Sequence, residues 1–209
     1  MKKIIYIVLT TIALTGCAIK LTDNKKALLK NELQEMVKID QIAAFHWEKE
    51  WDKYKDSVFT THKIQVEKMF NKYGFLGFDK VGKDGSNDFW LIVQHCDKFP
   101  DFQKKILKAM DKEVEKGNAN PNNYAYLYDR VEANAGRKQL FGTQLDYEVN
   151  STGRAFPKFG LVDSVNVDKI RKEYNLSPLK EYLNQMTTMH FEMNKEHYQK
   201  MGITKPNLY

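Results

Sequence analysis

The residues best suited to chemistry follow one another at the end of an apolar stretch, in the order Gln94, His95, Cys96 and Asp97. Histidine titrates near neutral pH, so His95 is a candidate general base. A histidine beside a cysteine suggests a nucleophilic pair, and a nearby carboxylate can orient an imidazole. Which of these chemistries is geometrically open depends on the element that carries the four residues.

The preceding apolar residues predict a buried central helix from Asn87 to about Lys98, with Ser86 as its cap. One broad apolar arc of this helix contains Phe89, Trp90, Ile92, Val93 and Cys96. Cys96 therefore belongs to the core and points about 100° away from His95, which argues against a nucleophilic pair. Asp97 lies two residues from His95, so their side chains diverge.

A second helix offers a better partner for His95. Asn120 and Pro121 cap and open this helix, and three- and four-residue steps place Tyr126, Asp129 and Arg130 on one face. Asp129 is then the carboxylate expected to orient His95, and Arg130 has the geometry to hold a ligand carboxylate or phosphate bidentately. The alternative is a satisfied structural network that joins helix to hairpin, made of Gln94, His95, Asp129, Arg130 and Gln144.

The remaining elements follow from hydrophobic periodicity. Helices are predicted over residues 24–55, 62–73, 101–116, 121–135, 167–174 and 178–201, in addition to the central helix. Gln139 to Val149 alternates and is predicted to pair with Ala155 to Leu161 as a hairpin. The predicted fold is therefore mainly α, a single-domain bundle of about six or seven helices with a small antiparallel β-hairpin before the C-terminal helices.

Composition limits the classes of function. The 209 residues are 42% apolar and 12% aromatic, which suits one folded domain with a core. The net charge of +6 includes Lys2 and Lys3, and no basic cluster interleaves with aromatic residues, so no nucleic-acid partner is predicted. The glycine-rich stretch at residues 74–85 lacks the lysine and Ser/Thr of a phosphate loop, and no serine-hydrolase motif occurs. We predict no cofactor.

The N-terminus has the order of a secretion signal. Lys2 and Lys3 precede the apolar run Ile4 to Leu14, and the sequence Leu-Thr-Gly-Cys that ends at Cys17 resembles a bacterial lipoprotein box. The resemblance implies cleavage before Cys17 and its acylation with fatty acids such as palmitate, which would anchor the protein to a membrane. We predict a signal peptide at 1–16 and a lipidated tether at 17–26. The alternative is an ordinary signal peptide with a chance cysteine.

Two further inferences concern location and metals. No aspartate follows Cys17 at the next position, which favours the outer membrane, facing the periplasm. His190 and His197 lie seven residues apart with Glu196 beside them, but no HExxH motif occurs, and we predict no metal site. The methionines of the last predicted helix are interpreted as core or as a face for a partner helix.

Four stretches in order resemble a bacterial family known only as domain of unknown function 6624: KVGKDGSNDFWLIVQHCD, YAYLYDRV, GRKQLFGTQ and VDKIRKEYNLSPLKEY. An Asp-Gln pair on an early helix, here Asp40 and Gln41, also belongs to the pattern. The resemblance runs from about residue 28 to Tyr182. It therefore implies a helical domain at 27–183, followed by a C-terminal helical extension at 184–209. The family has no established activity, so the resemblance implies where a site lies more than what it does.

Position by position, the resemblance marks a set of polar residues: Gln94, His95, Asp97, Tyr126, Asp129, Arg130, Gln139, Gly142, Thr143, Gln144 and Arg171. From this set we take His95 and Asp129 as candidate catalytic residues. The candidate ligand-binding residues are Gln94, Tyr126, Arg130, Gln139, Thr143 and Gln144. The chain departs from the pattern at Tyr128, Phe141 and Lys172, and at His62, where asparagine is expected.

Two functions remain open from the sequence. The first is an envelope lipoprotein that serves as a ligand-binding or structural module, with a small molecule or an envelope protein as partner. The alternative is a small-molecule enzyme, such as a hydrolase, that uses His95 with Asp129 and Arg130. An enzyme requires His95 to be accessible in a cleft, within hydrogen-bond reach of a carboxylate and with space for a substrate.

Overall fold

The computed structural model describes residues 21–46 and 48–209, and this part of the chain forms eight α-helices and one small antiparallel sheet. The helices are α1 Asp23–Phe45, α2 Asp52–Tyr73, α3 Phe78–Gln94, α4 Pro100–Glu115, α5 Pro121–Asn134, α6 Val167–Glu173, α7 Leu179–Met193 and α8 Lys195–Lys200. The sheet pairs β1 Leu145–Tyr147 with β2 Ala155–Pro157. The predicted mainly α fold with a hairpin before the C-terminal helices is confirmed.

The first predicted helix, 24–55, is wrong in its continuity. The α1 helix starts within the predicted tether segment, where the Thr22 side chain accepts a hydrogen bond from the Lys25 amide, and it ends where His46 adopts an extended conformation. A 3-10 turn, Lys49–Trp51, leads into α2, which begins ten residues before the predicted second helix. No glycine or proline lies at the break between α1 and α2, and apolar residues recur at helical spacing on both sides of it, so the sequence carries no signal of this break.

The central helix is longer than predicted. The α3 helix starts at Phe78, and its one non-helical residue is Gly82, with φ 71° and ψ 177°. Ser86 is therefore a buried residue inside the helix and not its cap. The glycines that suggested a connecting loop instead permit a kink and a close approach, because a Cβ atom on Gly77 would lie 2.4 Å from Asn118 Nδ2.

The main core surrounds α3, which packs against α1, α2, α4 and α5. Its buried members on α3 and the following residues are Phe89, Ile92, Val93 and Cys96, and those on the neighbouring helices include Leu29, Leu33, Val66, Phe102, Ile106, Met110 and Leu127. Burying one such large side chain stabilises the fold by about 1.5–3 kcal/mol. The predicted burial of the central helix is confirmed. Cys96 is also buried, but α3 ends at Gln94, before the predicted end near Lys98, so Cys96 lies in the segment after the helix and not on its face.

A second, smaller core lies under the hairpin and the C-terminal helices, around Ala125, Phe141 and Leu176. The hairpin is shorter than predicted, with Leu145 opposite Pro157 and Tyr147 opposite Ala155. The predicted last helix is also interrupted, because α7 ends at Met193 and α8 starts at Lys195. The division of the last predicted helix into α7 and α8 gives eight helices in the described residues, against the six or seven expected.

Candidate functional site

His95 is paired with a carboxylate that helical spacing did not identify. It caps the C-terminus of α3, and its Nδ1 lies 2.5 Å from Oδ2 of Asp40 on α1. Asp40 is 0% exposed, whereas the His95 side chain retains 19% of its exposure. The predicted pairing of His95 with Asp129 is therefore corrected: α1 and α3 pack side by side and bring together residues 55 positions apart.

The other oxygen of Asp40 faces a second histidine. His62 on α2 places its Nδ1 3.6 Å from Asp40 Oδ1, and His62 is only 4% exposed. Within the described part of the chain, neither of these two atoms makes a hydrogen bond. Asp40 is thus a buried carboxylate between two imidazoles, one on each oxygen.

The two histidines keep Asp40 ionised. Burial by itself would raise the pKa of this carboxyl, because a charge is poorly solvated in the interior. The contacts with His62 and His95 outweigh burial and hold the Asp40 pKa below its ordinary value. Asp40 is therefore suited to accept a hydrogen bond from an imidazole N–H and, as a carboxylate that stays ionised, to stabilise the imidazolium that forms when His95 takes up a proton.

His95 opens onto a cavity of about 150 Å³. The cavity is lined by Asp56, Phe59, Thr60, His95, Asp97, Lys98, Phe99 and Arg130. The Phe59 ring lies 5.1 Å from the imidazole, centroid to centroid, and covers part of it. The geometry required of a general base is met, since His95 is accessible in a cleft, bonded to a carboxylate and next to free volume.

Arg130 reaches this cavity but is already engaged. Its Nε and Nη2 donate to the two oxygens of Asp97 at 2.8 and 2.6 Å, and Gln103 and Asn134 donate to the same carboxylate. Burial would raise the Asp97 pKa, but the hydrogen bonds and charge of Arg130 lower it. The predicted bidentate grip of Arg130 on a ligand is therefore corrected, because a protein carboxylate occupies that face.

Asp129 serves a loop, not the imidazole. It is fully buried, and its oxygens accept hydrogen bonds from the amides of Leu140, Phe141 and Thr143 and from the Thr143 hydroxyl, at 2.8–3.1 Å. Burial raises the Asp129 pKa, against the effect of these donors. Asp129 therefore fixes the start of the loop that leads into β1.

The other candidates on this loop extend the same network. The Gln139 amide donates to the carbonyls of Gln144 and Lys158 and accepts from the Gln144 amide, and Gln144 donates to the Thr143 hydroxyl. Tyr182 donates to the Thr143 carbonyl. Every one of these contacts lies inside the protein, so the structure brings Gln139, Thr143 and Gln144 together around Asp129 and away from His95.

Tyr126 and Gln94 also contact other side chains of the protein. The Tyr126 ring packs edge-on against Tyr182, with 6.4 Å between centroids. Gln94 is buried, and with its carboxamide oriented so that the oxygen meets donors, it accepts from Trp90 Nε1 at 2.9 Å. The residues singled out from the sequence thus form two groups, a loop network around Asp129 and a cavity site around His95.

Cys96 is unsuited to nucleophilic chemistry. Its thiol is buried and donates to the Ile92 carbonyl at 3.4 Å, and burial raises its pKa to about 12. A thiol with that pKa carries almost no thiolate at neutral pH. His95 therefore acts without a cysteine partner in any reaction at this site.

The histidines of the C-terminal helices do not form a metal site in the structure. His190 and His197 lie on different helices, and His190 stacks on Tyr147 at 3.9 Å. Among residues 21–46 and 48–209, no three His, Cys, Asp or Glu side chains form a group suited to a metal ion. In the same ranges, no helix combines the length and apolar character needed to cross a membrane. The predicted signal peptide and Cys17 lie outside the described residues.

Asp40 and His62 are the site residues that the sequence analysis does not single out. Asp40 belongs to the Asp-Gln pair of the family resemblance, which gives it no role, and His62 stands where that resemblance leads us to expect asparagine.

A comparison with known proteins gives the family of the chain. The model of a family described as "Family of unknown function (DUF6624)" matches residues 27–191. No curated protein and no solved structure matches.

Proposed function

The chain belongs to the family of unknown function DUF6624, and we propose that it is an enzyme that transfers a proton to or from a small polar substrate at His95. The observation that carries this proposal is the short Asp40–His95 contact at 2.5 Å, next to a cavity that His95 lines. Structural histidines are usually satisfied and enclosed, whereas this imidazole retains access to free volume.

The chemistry follows from the contact with Asp40. Asp40 accepts a hydrogen bond from Nδ1–H and so selects the tautomer in which Nε2 carries a lone pair. In a hydrolysis, Nε2 takes a proton from water as the oxygen attacks, Asp40 stabilises the imidazolium, and the proton passes to the leaving group. The buried thiol of Cys96 takes no part, so water is the proposed nucleophile.

The cavity indicates the size and charge of the reacting group. Its volume of about 150 Å³ corresponds to a few water molecules, smaller than the usual 300–1,000 Å³ of drug-sized sites. The charged residues in its wall are paired with one another, Lys98 with Asp56 and Arg130 with Asp97. A small uncharged polar group, such as an ester or amide end, fits this balance better than a phosphate.

A ligand-binding or structural module is the second candidate. It is favoured by the loop network around Asp129, whose contacts are all made within the protein, and by the engagement of Arg130 with Asp97. In this alternative the cavity at His95 binds a small molecule or an envelope protein without chemistry.

One set of variants separates the two candidates. Thermal unfolding and turnover would be measured with a panel of small esters and amides, for the wild type, His95→Gln, Asp40→Asn, Arg130→Ala and the control His197→Gln. We expect turnover that is lost in the first two variants and retained in the control. A thermal shift without turnover that depends on His95 supports the binding module. A ligand effect that survives both His95→Gln and Arg130→Ala overturns the site.

We further propose that the protein is a lipoprotein held at the outer membrane, facing the periplasm, by acyl chains on Cys17. The support is the order of Lys2 and Lys3, the apolar run and the Leu-Thr-Gly-Cys box. Cys17→Ser is expected to move the protein from the membrane pellet to the soluble fraction. Unchanged partitioning of this variant would contradict the proposal.

A further inference from the structure

Asp40 differs from the other carboxylates near the cavity in what balances its charge. Three neighbouring carboxylates have a lysine or arginine partner: Asp56 with Lys98 at 2.5 Å, Asp97 with Arg130 at 2.6 Å and Glu67 with Lys63 at 2.7 Å. Asp40 is 0% exposed, and its two cationic partners are the imidazoles of His62 and His95. The charge of this site is therefore set by whether those imidazoles are protonated.

The two imidazoles compete for one carboxylate. One protonated histidine makes the group of three neutral, whereas two would leave a net positive charge in a buried place. The nitrogen that each histidine turns to Asp40 is Nδ1, at 2.5 Å for His95 and 3.6 Å for His62. His95 holds the closer position, and the unbonded His62 Nδ1 and Asp40 Oδ1 need to approach by under about 1 Å to form a hydrogen bond.

His62 borders a cavity of its own. It lines a second cavity, of about 490 Å³, whose wall comes from α1 and α2 and includes Met36, Val58 and Thr61. Neither Asp40 nor His95 lines that cavity, and His62 does not line the cavity at His95. Asp40 therefore separates two cavities, each with one histidine in its wall.

We propose that His62 is a positioning residue for the chemistry at His95: it shares the Asp40 carboxylate and thereby sets how tightly His95 holds a proton. This inference rests on the proposed function, because it assigns His62 to the site at which His95 acts. In physical terms, a proton or hydrogen bond on the His62 side of Asp40 weakens the pull of the carboxylate on His95. Removing His62 leaves Asp40 with His95 and with the Gln41 side chain, which donates to Oδ2 at 3.2 Å, so His95 becomes its one imidazole partner.

Other charged groups lie on the elements around Asp40, His62 and His95. From α1 they are Glu32, Glu35 and Lys38; from α2, Asp56, Lys63 and Glu67; after α3, Asp97 and Lys98; and from α5, Arg130. The Cys96 thiol also lies close, but its pKa of about 12 keeps it neutral across the range of histidine titration. The coupling concerns His62 and His95, because these are the two histidines that face Asp40.

The test is a histidine titration of the full chain by NMR, with the imidazoles isotopically labelled. In His62→Leu and His62→Phe, which have no side-chain donor for Asp40, the midpoint of the His95 titration is expected to rise by about half to one pH unit. Reciprocally, His95→Gln is expected to raise the His62 midpoint by a similar amount, because coupling acts equally in both directions. The control His197→Gln lies on α8 and should leave both midpoints unchanged.

The outcomes distinguish coupling from a purely structural role. His62→Leu is close to histidine in size, so it should fold even if His62→Phe does not. His62→Asn has the residue that the family resemblance leads us to expect and keeps a donor for Asp40, so it should move the His95 midpoint less. A His95 midpoint that moves by less than about 0.2 units in folded His62→Leu, with the His62 midpoint equally unmoved in His95→Gln, overturns the inference. Since the titration needs no substrate, coupling without turnover refutes only the proposed function, and turnover without coupling refutes only the role of His62.

Discussion

Two buried aspartates show how much neighbours decide at the scale of single residues. Asp40 and Asp129 are both 0% exposed, yet the pKa of Asp40 is lowered and that of Asp129 is raised. Burial raises both pKa values, but only Asp40 faces imidazoles that can carry a compensating positive charge. The first carboxylate is therefore suited to orienting an imidazole and stabilising its protonated form, and the second to holding a loop.

The lowered pKa of Asp40 predicts a contribution to acid sensitivity. A carboxyl whose folded pKa lies below its ordinary 3.8 stabilises the fold above that pH, and this stability is lost as the pH falls through the lower folded value. Asp40→Asn should therefore be less stable by about 1–3 kcal/mol at pH 7 and lose less further stability between pH 5 and 2. Urea unfolding across that range measures both effects. An acid dependence equal to the wild type would contradict the prediction.

Asp129 makes a different prediction. In Asp129→Asn an amide group replaces one oxygen and turns a donor towards backbone donors, so we expect a loss of about 2–4 kcal/mol in the free energy of unfolding. The control Asp101→Asn removes a carboxylate that is almost fully exposed and should cost less than about 0.5 kcal/mol. Equal stability of the two variants in urea would show that the loop does not depend on Asp129.

At the scale of elements, a single arginine joins the hairpin region to the C-terminal helices. Arg171 on α6 is 1% exposed, donates to the carbonyls of Phe141 and Ser177 at 2.6 and 2.7 Å, and lies 5.0 Å above the Tyr182 ring. Its guanidinium thus bonds the loop after α5 and the start of α7 at once. This role explains why the family resemblance includes Arg171 although it lies away from the cavity.

The same loop contains a glycine that packing requires. Gly142 has φ +72°, and a Cβ atom there would lie 3.0 Å from side-chain carbons of Leu161 and Leu179. Gly142→Ala is expected to cost about 2–4 kcal/mol, from backbone strain and overpacking together. Gly117→Ala is a matched control, because Gly117 has φ +69° but nothing within 4 Å, and it should cost about 1 kcal/mol. Equal losses in thermal unfolding would show that packing contributes nothing at Gly142.

At the scale of the whole molecule, residues 207–209 form hydrogen bonds with both the hairpin and α7. Arg154 donates to the carbonyls of Asn207 and Leu208, the Tyr209 hydroxyl donates to the Ala155 carbonyl, and the Tyr209 amide donates to the Asn184 side chain. The C-terminal segment therefore bridges β2 and α7, two elements that already pack together.

Removing residues 206–209 tests this bridge. The deletion should lower the free energy of unfolding by about 1–3 kcal/mol, since several hydrogen bonds and an aromatic contact are lost. Hydrogen exchange should become faster in β1 and β2 and stay unchanged in α3, which belongs to the other core. Uniformly faster exchange would indicate that the tail supports the whole fold and not the hairpin alone.

The sequence by itself determined the features that depend on local physics. Apolar periodicity predicted the helical class and the burial of the central helix, and the prolines at positions 100 and 121 placed the starts of α4 and α5 within a residue. The burial of Cys96 was also expected, although it lies beyond the end of α3 at Gln94. The four motifs indicated the family, whose model matches residues 27–191.

The pairing of those polar residues was decided only by the tertiary structure. His95 meets Asp40 because α1 packs on α3, and nothing in the sequence signals that contact between residues 55 positions apart. Arg130 and Asp129 are adjacent in sequence, yet one lines the cavity and the other fixes a loop. Helix spacing can show which residues share a face, but which face meets which neighbour depends on how the whole chain packs, and that packing made Asp40 the centre of the candidate site.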